Sequence, residues 1–455
     1  MGECPRGNEG ILMGFIRGEG RNQGTLFPVV LDDLIPADHL CRVIDAFVDT
    51  LEMDALGFVR AEPADTGRPG YDPCDLLKLY LYGYLNQIRS SRRLEAECRR
   101  NVELMWLLGR LYPDHKSIAE FRRMHREAVT AAGARLVQFA RSVGLIRGEW
   151  IAVDGSKFLA VSSRHSVCER DSVRRYLDRM ESEDREQEEA IDNSAVAAAL
   201  DKLRSHPEPE ACLMKTPLGT AAAYNIQTAV DAAHALIVAH QTKTARNDSA
   251  CLQSIAEAAH EAVGEPGVTM NVVADCGYSN GEQASACEAA GIIPHIPVKR
   301  AVNSHGDGKL MDRTLFQYQP ETDQFLCPAG KVLHRTRVKE EDRLVYYHAR
   351  TKDCKACPLK PGCTRASRRM VSRHLYEDAL ERMNQRATPE VMSLRRSTVE
   401  HPFATLKYRI FGLPRFLLRG LNGSCTEMSL AVMAYNLKRM ANVLGPRQLA
   451  ASLRG

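Results

Sequence analysis

The stretch Glu149–Ser162, "EWIAVDGSKFLAVS", decides how the chain is read. Its apolar run from Trp150 to Val153 meets one carboxylate, Asp154, and then Gly155, the pattern of a strand that carries an acid to the place where it leaves a sheet. An aspartate in that setting most often caps a turn. A second one, similarly placed, changes the reading. "VTMNVVADCGYS" provides it: a buried strand ends in Asp275, with Gly277 two residues on. Between the two, "TAAAYNIQTAVDAAHALIVAHQTK" reads as two strands joined by a turn near Asp231 to Ala235, and "DSACLQSIAEAAHEAVG" as an amphipathic helix. After Asp275 come a short helix, "NGEQASACEAAG", and another strand, "IIPHIPVK". Three strands, helix, strand, helix, strand predicts an α/β domain whose later strands, reached by crossovers, run parallel to a neighbour.

On the N-terminal side, residues from about Asp72 to Ala128 read as helices. "DPCDLLKLYLYGYLNQ" places Leu76, Leu77, Leu81 and Tyr84 at helical spacing after Pro73, and "SSRRLEAECRRNVELMWLLG" and "DHKSIAEFRRMHREAV" follow. On the C-terminal side, residues 303–390 hold β-like runs ("TLFQYQ", "RLVYYHA") and then "CKACPLKPGC", before a helical region beginning near Ser397. The expected organisation is a flexible N-terminus (1–24), a helical domain (25–135), the first part of an α/β core (145–302), a cysteine-containing β-rich insertion (303–390), the rest of the core (391–445) and a tail (446–455). An acidic stretch, Glu169 to Glu189, with nine acids against five bases, marks a solvated helical insertion at about 165–208.

The whole chain of 455 residues has a net charge of only +4, with 44% hydrophobic and 26% charged residues, a globular balance. No apolar run approaches a membrane span and the N-terminus is too polar for a signal peptide, so a cytoplasmic protein is expected. Its charge is unevenly spread. Arg89 to Arg126 holds ten Lys/Arg against five Asp/Glu, and Arg365 to Arg419 twelve against five. Two separate surfaces are therefore suited to a polyanion. A helical dimerisation or scaffold module with a solvated basic face is the alternative reading of the first.

A third acid stands in the second basic region, in "RRSTVEHPFATLKYRIFG" (Arg395–Gly412). At about 100° per residue an unbroken helix puts Arg396, Glu400 and Lys407 on one face. Pro402 removes a backbone donor, so the helix is expected to start close to Glu400 or to kink there. Ser397, three residues before Glu400, also fits a capping box, which would make Glu400 a helix cap.

"IAVDGSK", "VVADCGYS" and "VEHPFATLK" together resemble the first Asp, second Asp and Glu boxes of the DDE transposases of bacterial insertion sequences, within the ribonuclease H-like superfamily. "YNIQTAVD" resembles that family's second and third strands, and the likeness runs from about residue 25 to 442. It implies a ribonuclease H-like core in which Asp154, Asp275 and Glu400 coordinate two Mg²⁺ (or Mn²⁺) ions, Asp154 bridging both. It also implies DNA as partner: terminal inverted repeats are cleaved, and the freed 3′-OH is joined to target DNA, within a homodimeric synaptic complex associated with the nucleoid. In the family signature, Tyr, Arg, Glu and Lys recur at fixed spacing. Arg396 and Lys407 take the phosphate-holding places, and Ser393 stands where the Tyr would be. Among the N-terminal helices, Arg92, Arg93, Arg99, Arg122 and Arg123 are the candidate DNA contacts, with Arg89, Arg100 and Arg126 beside them. Two rival readings share these residues: a catalytically silent protein that occupies transposon ends, and a nuclease without strand transfer.

The cysteines form a separate signal. Cys354-x2-Cys357-x5-Cys363, with Cys327 upstream in "CPAGK", has the composition of a four-thiolate Zn²⁺ knuckle, with His334 and His348 as replacement ligands. It lacks a second paired CxxC, and reduced, unligated thiols fit the same residues.

Overall fold

The computed structural model describes residues 30–60, 70–183, 193–217, 219–264, 269–298 and 310–455. The expected flexible N-terminus, 1–24, lies outside the described residues. Six helices come first: α1 (Leu40–Asp49), α2 (Pro73–Leu85), α3 (Ser91–Cys98), α4 (Val102–Leu107), α5 (His115–Met124) and α6 (Arg126–Ser142). Asp72, Asn101 and Asp114 cap α2, α4 and α5, each side chain accepting N–H bonds that a first helical turn leaves unpaired. The sequence reads as one helix through "DHKSIAEFRRMHREAV", but the backbone turns at His125 (φ −106°, ψ 38°). There the buried imidazole joins two segments, its Nε2 accepting from the Val59 N–H (3.0 Å) and its Nδ1 donating to the Phe121 carbonyl (2.9 Å).

A mixed sheet follows, built from β1 (Trp150–Leu159), β2 (Cys212–Thr216), β3 (Gly219–Asp231), β4 (Ile237–Lys243), β5 (Met270–Val273) and β6 (Ile292–His295). Helices α7 (Arg164–Glu183) and α8 (Asn193–Arg204) lie between β1 and β2, α9 (Leu252–Val263) between β4 and β5, and α10 (Gly281–Ala289) between β5 and β6. The order is β2-β3-β1-β5-β6, with β4 also paired to β3. β1 and β3 are antiparallel; β1, β5 and β6 are parallel, as crossover connections require. The alternation that makes β3 a strand is unusual, because Asn225, Gln227 and Thr228 are as buried as its apolar residues.

A second, antiparallel sheet in the order β11-β10-β9-β8-β7 forms the insertion, from β7 (Gln317–Gln319), β8 (Gln324–Leu326), β9 (Val332–Lys339), β10 (Leu344–Ala349) and β11 (Met370–His374), with short α11 (Thr351–Lys355) and α12 (Lys360–Cys363) before the last strand. Its core is separate and small: Phe316, Phe325, Leu333, Val345, Tyr347, Ala349 and Val371. The chain then returns through α13 (Glu377–Arg386), α14 (Pro389–Ala404), α15 (Gly420–Leu444) and α16 (Pro446–Arg454). The C-terminal helical region therefore begins at Glu377, not near Ser397. Within the stretch assigned to the insertion, α13 packs on the first sheet instead, with Arg382 and Arg386 both paired to Glu288 of α10 (2.5 and 2.8 Å).

One hydrophobic core runs from Ile35 to Leu453, so the N-terminal helices and the first sheet share it. The joint is the fully buried Glu427 of α15. Its Oε2 accepts from Arg89 (3.1 Å) and the Tyr84 hydroxyl (3.3 Å), and its Oε1 from the N–H groups of Leu417 and Leu418 (2.6 Å each). Among the described residues no helix is long and apolar enough to cross a membrane.

Candidate active site

Parallel pairing of β1 with β5 sets Ala152 opposite Val273. Asp154 and Asp275 are each two residues beyond that pair, so both carboxylates emerge at the same end of two adjacent strands. Asp154 does not end its strand, however. β1 continues to Leu159 along β3, with Thr228 opposite Asp154, and leaves only its β5 edge open there. Asp275 caps the turn that follows, its Oδ1 accepting from the Gly277 N–H (2.7 Å). The cap uses Oδ1 and leaves Oδ2 facing Arg395 (3.7 Å).

α14 crosses this end of the sheet. It starts at Pro389 behind the Thr388 cap, well before Glu400, and Ser397 is no cap: its hydroxyl donates to the Leu394 carbonyl (2.9 Å). Pro402 is absorbed in the last turn. Beyond it, Thr405–Ile410 widens into a π-helical turn, closed by Phe411 N–H on the Leu406 carbonyl (2.9 Å), the local adjustment expected where a proline removes a ladder donor. Thr398, Val399, Pro402 and Phe403 form the buried face. At about 100° per residue these lie within about 80° of Arg395, whereas Glu400 lies about 140° from it.

Arg395, not Arg396, is consequently the residue α14 turns into the aspartates. Its Nη2 lies 2.7 Å from Asp154 Oδ1 and 3.7 Å from Asp275 Oδ2, and its Nε is buried without a partner. Glu400, Arg396 and Ser393 are on the exposed part of the helix. Lys407 reaches the site from the π turn, half-buried, with Nζ 6.0 Å from the Phe158 ring centroid. Burial lowers the Lys407 pKa, while the charge of Asp154 opposes the shift. Burial likewise raises the Asp154 carboxyl; Asp275 and Asp248 add to the rise, and Arg395 and the Gly155 N–H oppose it.

Asp248, in the loop between β4 and α9, was missed by sequence reasoning because "DSACLQSIAEAAHEAVG", which it opens, reads only as an amphipathic helix. Its Oδ1 accepts from Asn225 (2.6 Å), Gln227 (2.7 Å) and Lys157 (3.5 Å). The available signal was the pair Asn225 and Gln227, polar residues two apart inside an apolar strand. The donor set at this end of the sheet is therefore the carboxylates of Asp154 and Asp275, with a guanidinium lodged between them, and that of Asp248, held on side chains of β1 and β3. Such oxygens suit Mg²⁺ or Mn²⁺.

The N-terminal arginines divide. Arg92, Arg93, Arg99 and Arg100 are exposed on and after α3, and Arg123 is exposed on α5. Arg122 is only 5% exposed, its Nη1 donating to the Arg89 carbonyl (3.1 Å) and its guanidinium lying over the Tyr80 ring. Arg89 is spent on Glu427, and Arg126 reaches Asn422. Arg122 as a DNA contact is thus corrected: helix packing directs it inward, where it holds the α2–α3 connection.

All four expected cysteines, Cys327, Cys354, Cys357 and Cys363, line one cavity of about 30 Å³, which His334 and His348 do not line. Those histidines face each other across β9 and β10. Two sulfurs accept backbone N–H bonds, Cys327 from Lys331 (3.3 Å) and Cys354 from Arg369 (3.4 Å). The sulfurs stand apart: among the described residues the trio with ligand atoms all within 4.8 Å is His39, Cys41 and Glu103. That trio is otherwise engaged. His39 Nδ1 caps α1, Glu103 holds the Tyr82 hydroxyl, and burial pushes the Cys41 thiol up to about 12.

Two family models match the chain. A transposase domain model (DUF772) matches residues 29–124, and a transposase DDE domain model matches residues 326–441. The second match takes in the four cysteines, Arg395, Glu400 and Lys407; Asp154 and Asp275 fall between the two. No curated protein matches the chain.

Proposed function

The chain belongs with the DDE transposases of insertion sequences, and on that premise we propose that it cleaves the ends of its element and joins the freed 3′-OH to target DNA. The observation that carries this reading is the matched placement of Asp154 and Asp275 on parallel strands, under a helix that carries Glu400 and leads into Lys407. The sheet order, antiparallel on the β3 side and parallel on the β5 side, supports a ribonuclease H-like core.

Asp154 and Asp275 would hold the divalent ions, and Glu400, on the exposed part of α14, would join them by a turn of that helix when metal and DNA bind. Bound there, such ions activate the attacking oxygen and neutralise the leaving one. The protein's own groups do the rest. Asp154, on a strand braced along both edges of its first half, fixes the position of the charge. Lys407 and Arg396 hold the phosphates on either side of the scissile bond, and Arg92, Arg93, Arg99 and Arg123 hold the duplex further out. Joining two ends requires two such centres, hence a dimer of this chain on DNA, acting where the cell's DNA lies in the cytoplasmic nucleoid.

Asp154→Asn, Asp275→Asn and Glu400→Gln should each abolish cleavage of a terminal-repeat duplex while leaving its binding intact. A gel resolving cleaved from joined strands completes the test. Cleavage without joining would make the protein a nuclease, and undiminished cleavage by any one variant would remove that residue from the site.

The four sulfurs line one small cavity, a donor set suited to a single metal ion. We propose structural Zn²⁺ there, drawing in the four sulfurs and bracing an insertion whose own core is seven residues. The full chain, purified without chelator, should carry about one zinc, retained by Asp154→Asn and lost by Cys354→Ser; absence of zinc from the unmodified chain would exclude the site.

A further inference from the structure

Asp248 is held as a site residue is held, yet neither acid box contains it. Its Oδ1 takes three donors, from β1 (Lys157) and β3 (Asn225 and Gln227). Gln227 is itself fixed, its Oε1 accepting from the buried Tyr278 hydroxyl three residues after Asp275. The network leaves no room beside Asp154. A Cβ on Gly155 would stand 2.5 Å from Gln227 Nε2 and 2.6 Å from Asp248 Oδ1, well inside any real contact. Asn225, fully buried, keeps its Oδ1 without a partner.

The other oxygen of Asp248 is turned toward the catalytic turn. A Cβ on Gly277 would lie 4.0 Å from Asp248 Oδ2 and 2.8 Å from Asp275 Oδ1, so the two oxygens can be no farther apart than those distances together. That span is within reach of a cation pair about 3.5–4 Å apart. We propose that Asp248 is a fourth carboxylate of the catalytic centre, presenting Oδ2 to a divalent cation while the β1–β3 amides and Lys157 fix Oδ1. The inference rests on the metal-dependent reading of Asp154 and Asp275.

Asp248→Asn is the discriminating change, because the amide oxygen can keep the Oδ1 bonds while only Oδ2 is replaced. Mn²⁺ binding to the full chain without DNA, followed by titration calorimetry, should weaken by at least roughly ten-fold, the smaller loss found when a group that only orients a metal's ligands is removed. Cleavage should return as Mn²⁺ is raised, with the thermal midpoint near that of the unmodified chain. Asp154→Asn is measured in parallel. Weakened binding in Asp154→Asn alone would overturn the role of Asp248 and leave the proposed function standing; unchanged binding in both would overturn the metal site itself. Should Asp248→Asn fold poorly, Lys157→Met gives a second reading: it leaves Oδ2 in place, so an equal loss of Mn²⁺ affinity there would assign the effect to the network and reject the role of Oδ2.

Discussion

Replacing Arg395 with Gln removes the cation lodged between Asp154 and Asp275. At an effective dielectric near 20, charges 2.7 and 3.7 Å apart attract by roughly 6 and 4–5 kcal/mol before desolvation is counted. Most of that is offset. Exposed pairs are worth about 0–1 kcal/mol and breaking a buried one costs about 3–5; Arg395 is 14% exposed and its partners 24% and 46%, between those limits. A net contribution of about 1–3 kcal/mol follows, and a divalent ion must overcome it to enter. Arg395→Gln should therefore bind Mn²⁺ about 5- to 150-fold more tightly, read by calorimetry on the DNA-free chain. The gain should shrink at acidic pH, since burial already favours the protonated Asp154 and the lost guanidinium no longer opposes it. Cleavage should fall despite the tighter binding if the guanidinium turns to a phosphate when the ion arrives. Affinity unchanged or weakened at mildly alkaline pH would refute the idea that Arg395 and the metal compete for one place.

Glu427→Gln should destabilise the whole chain by about 3–5 kcal/mol, because Arg89 is left buried without its counter-charge; denaturant unfolding should remain a single transition for the N-terminal helices and the first sheet. Neutralising Arg93 or Arg123 should flatten the salt dependence of duplex binding by about 0.9 in log–log slope for each phosphate left without its cation, whereas Arg122→Met should cost stability and leave the slope unchanged in whatever protein folds. Burial pushes His240 down to about 4, below its ordinary value. A depressed imidazole contributes stability that is present above the unfolded pKa near 6.5 and lost as pH falls toward the folded value. Acid unfolding in that window should accordingly be lessened by His240→Gln, by at most about 3.5 kcal/mol.

Short-range physics made much of this legible before any fold was known. Asp154 and Asp275 stand out because each acid follows an apolar run just ahead of a glycine, and the helix between them forces a crossover and a parallel strand. Caps such as Asp72 and Asp114 act within their own turn, so their residues announce them. The four cysteines share a cavity largely because three of them are close in sequence.

What the sequence left undecided depends on contacts between distant segments. Helical spacing gives relative angles and no absolute rotation, and docking of Val399 and Phe403 on the sheet decided that Arg395 points inward and Arg396 outward. A local pattern cannot tell a solvated arginine from one buried by a neighbouring helix, so Arg122 and Arg123 look alike until α2 packs beside them. Asp248 joins the site only because Asn225 and Gln227, some twenty residues earlier, are buried in the strand next to β1. Pairing register and packing rotation are set by the burial of non-local apolar surface, and that is the part of the molecule that only the tertiary structure determined.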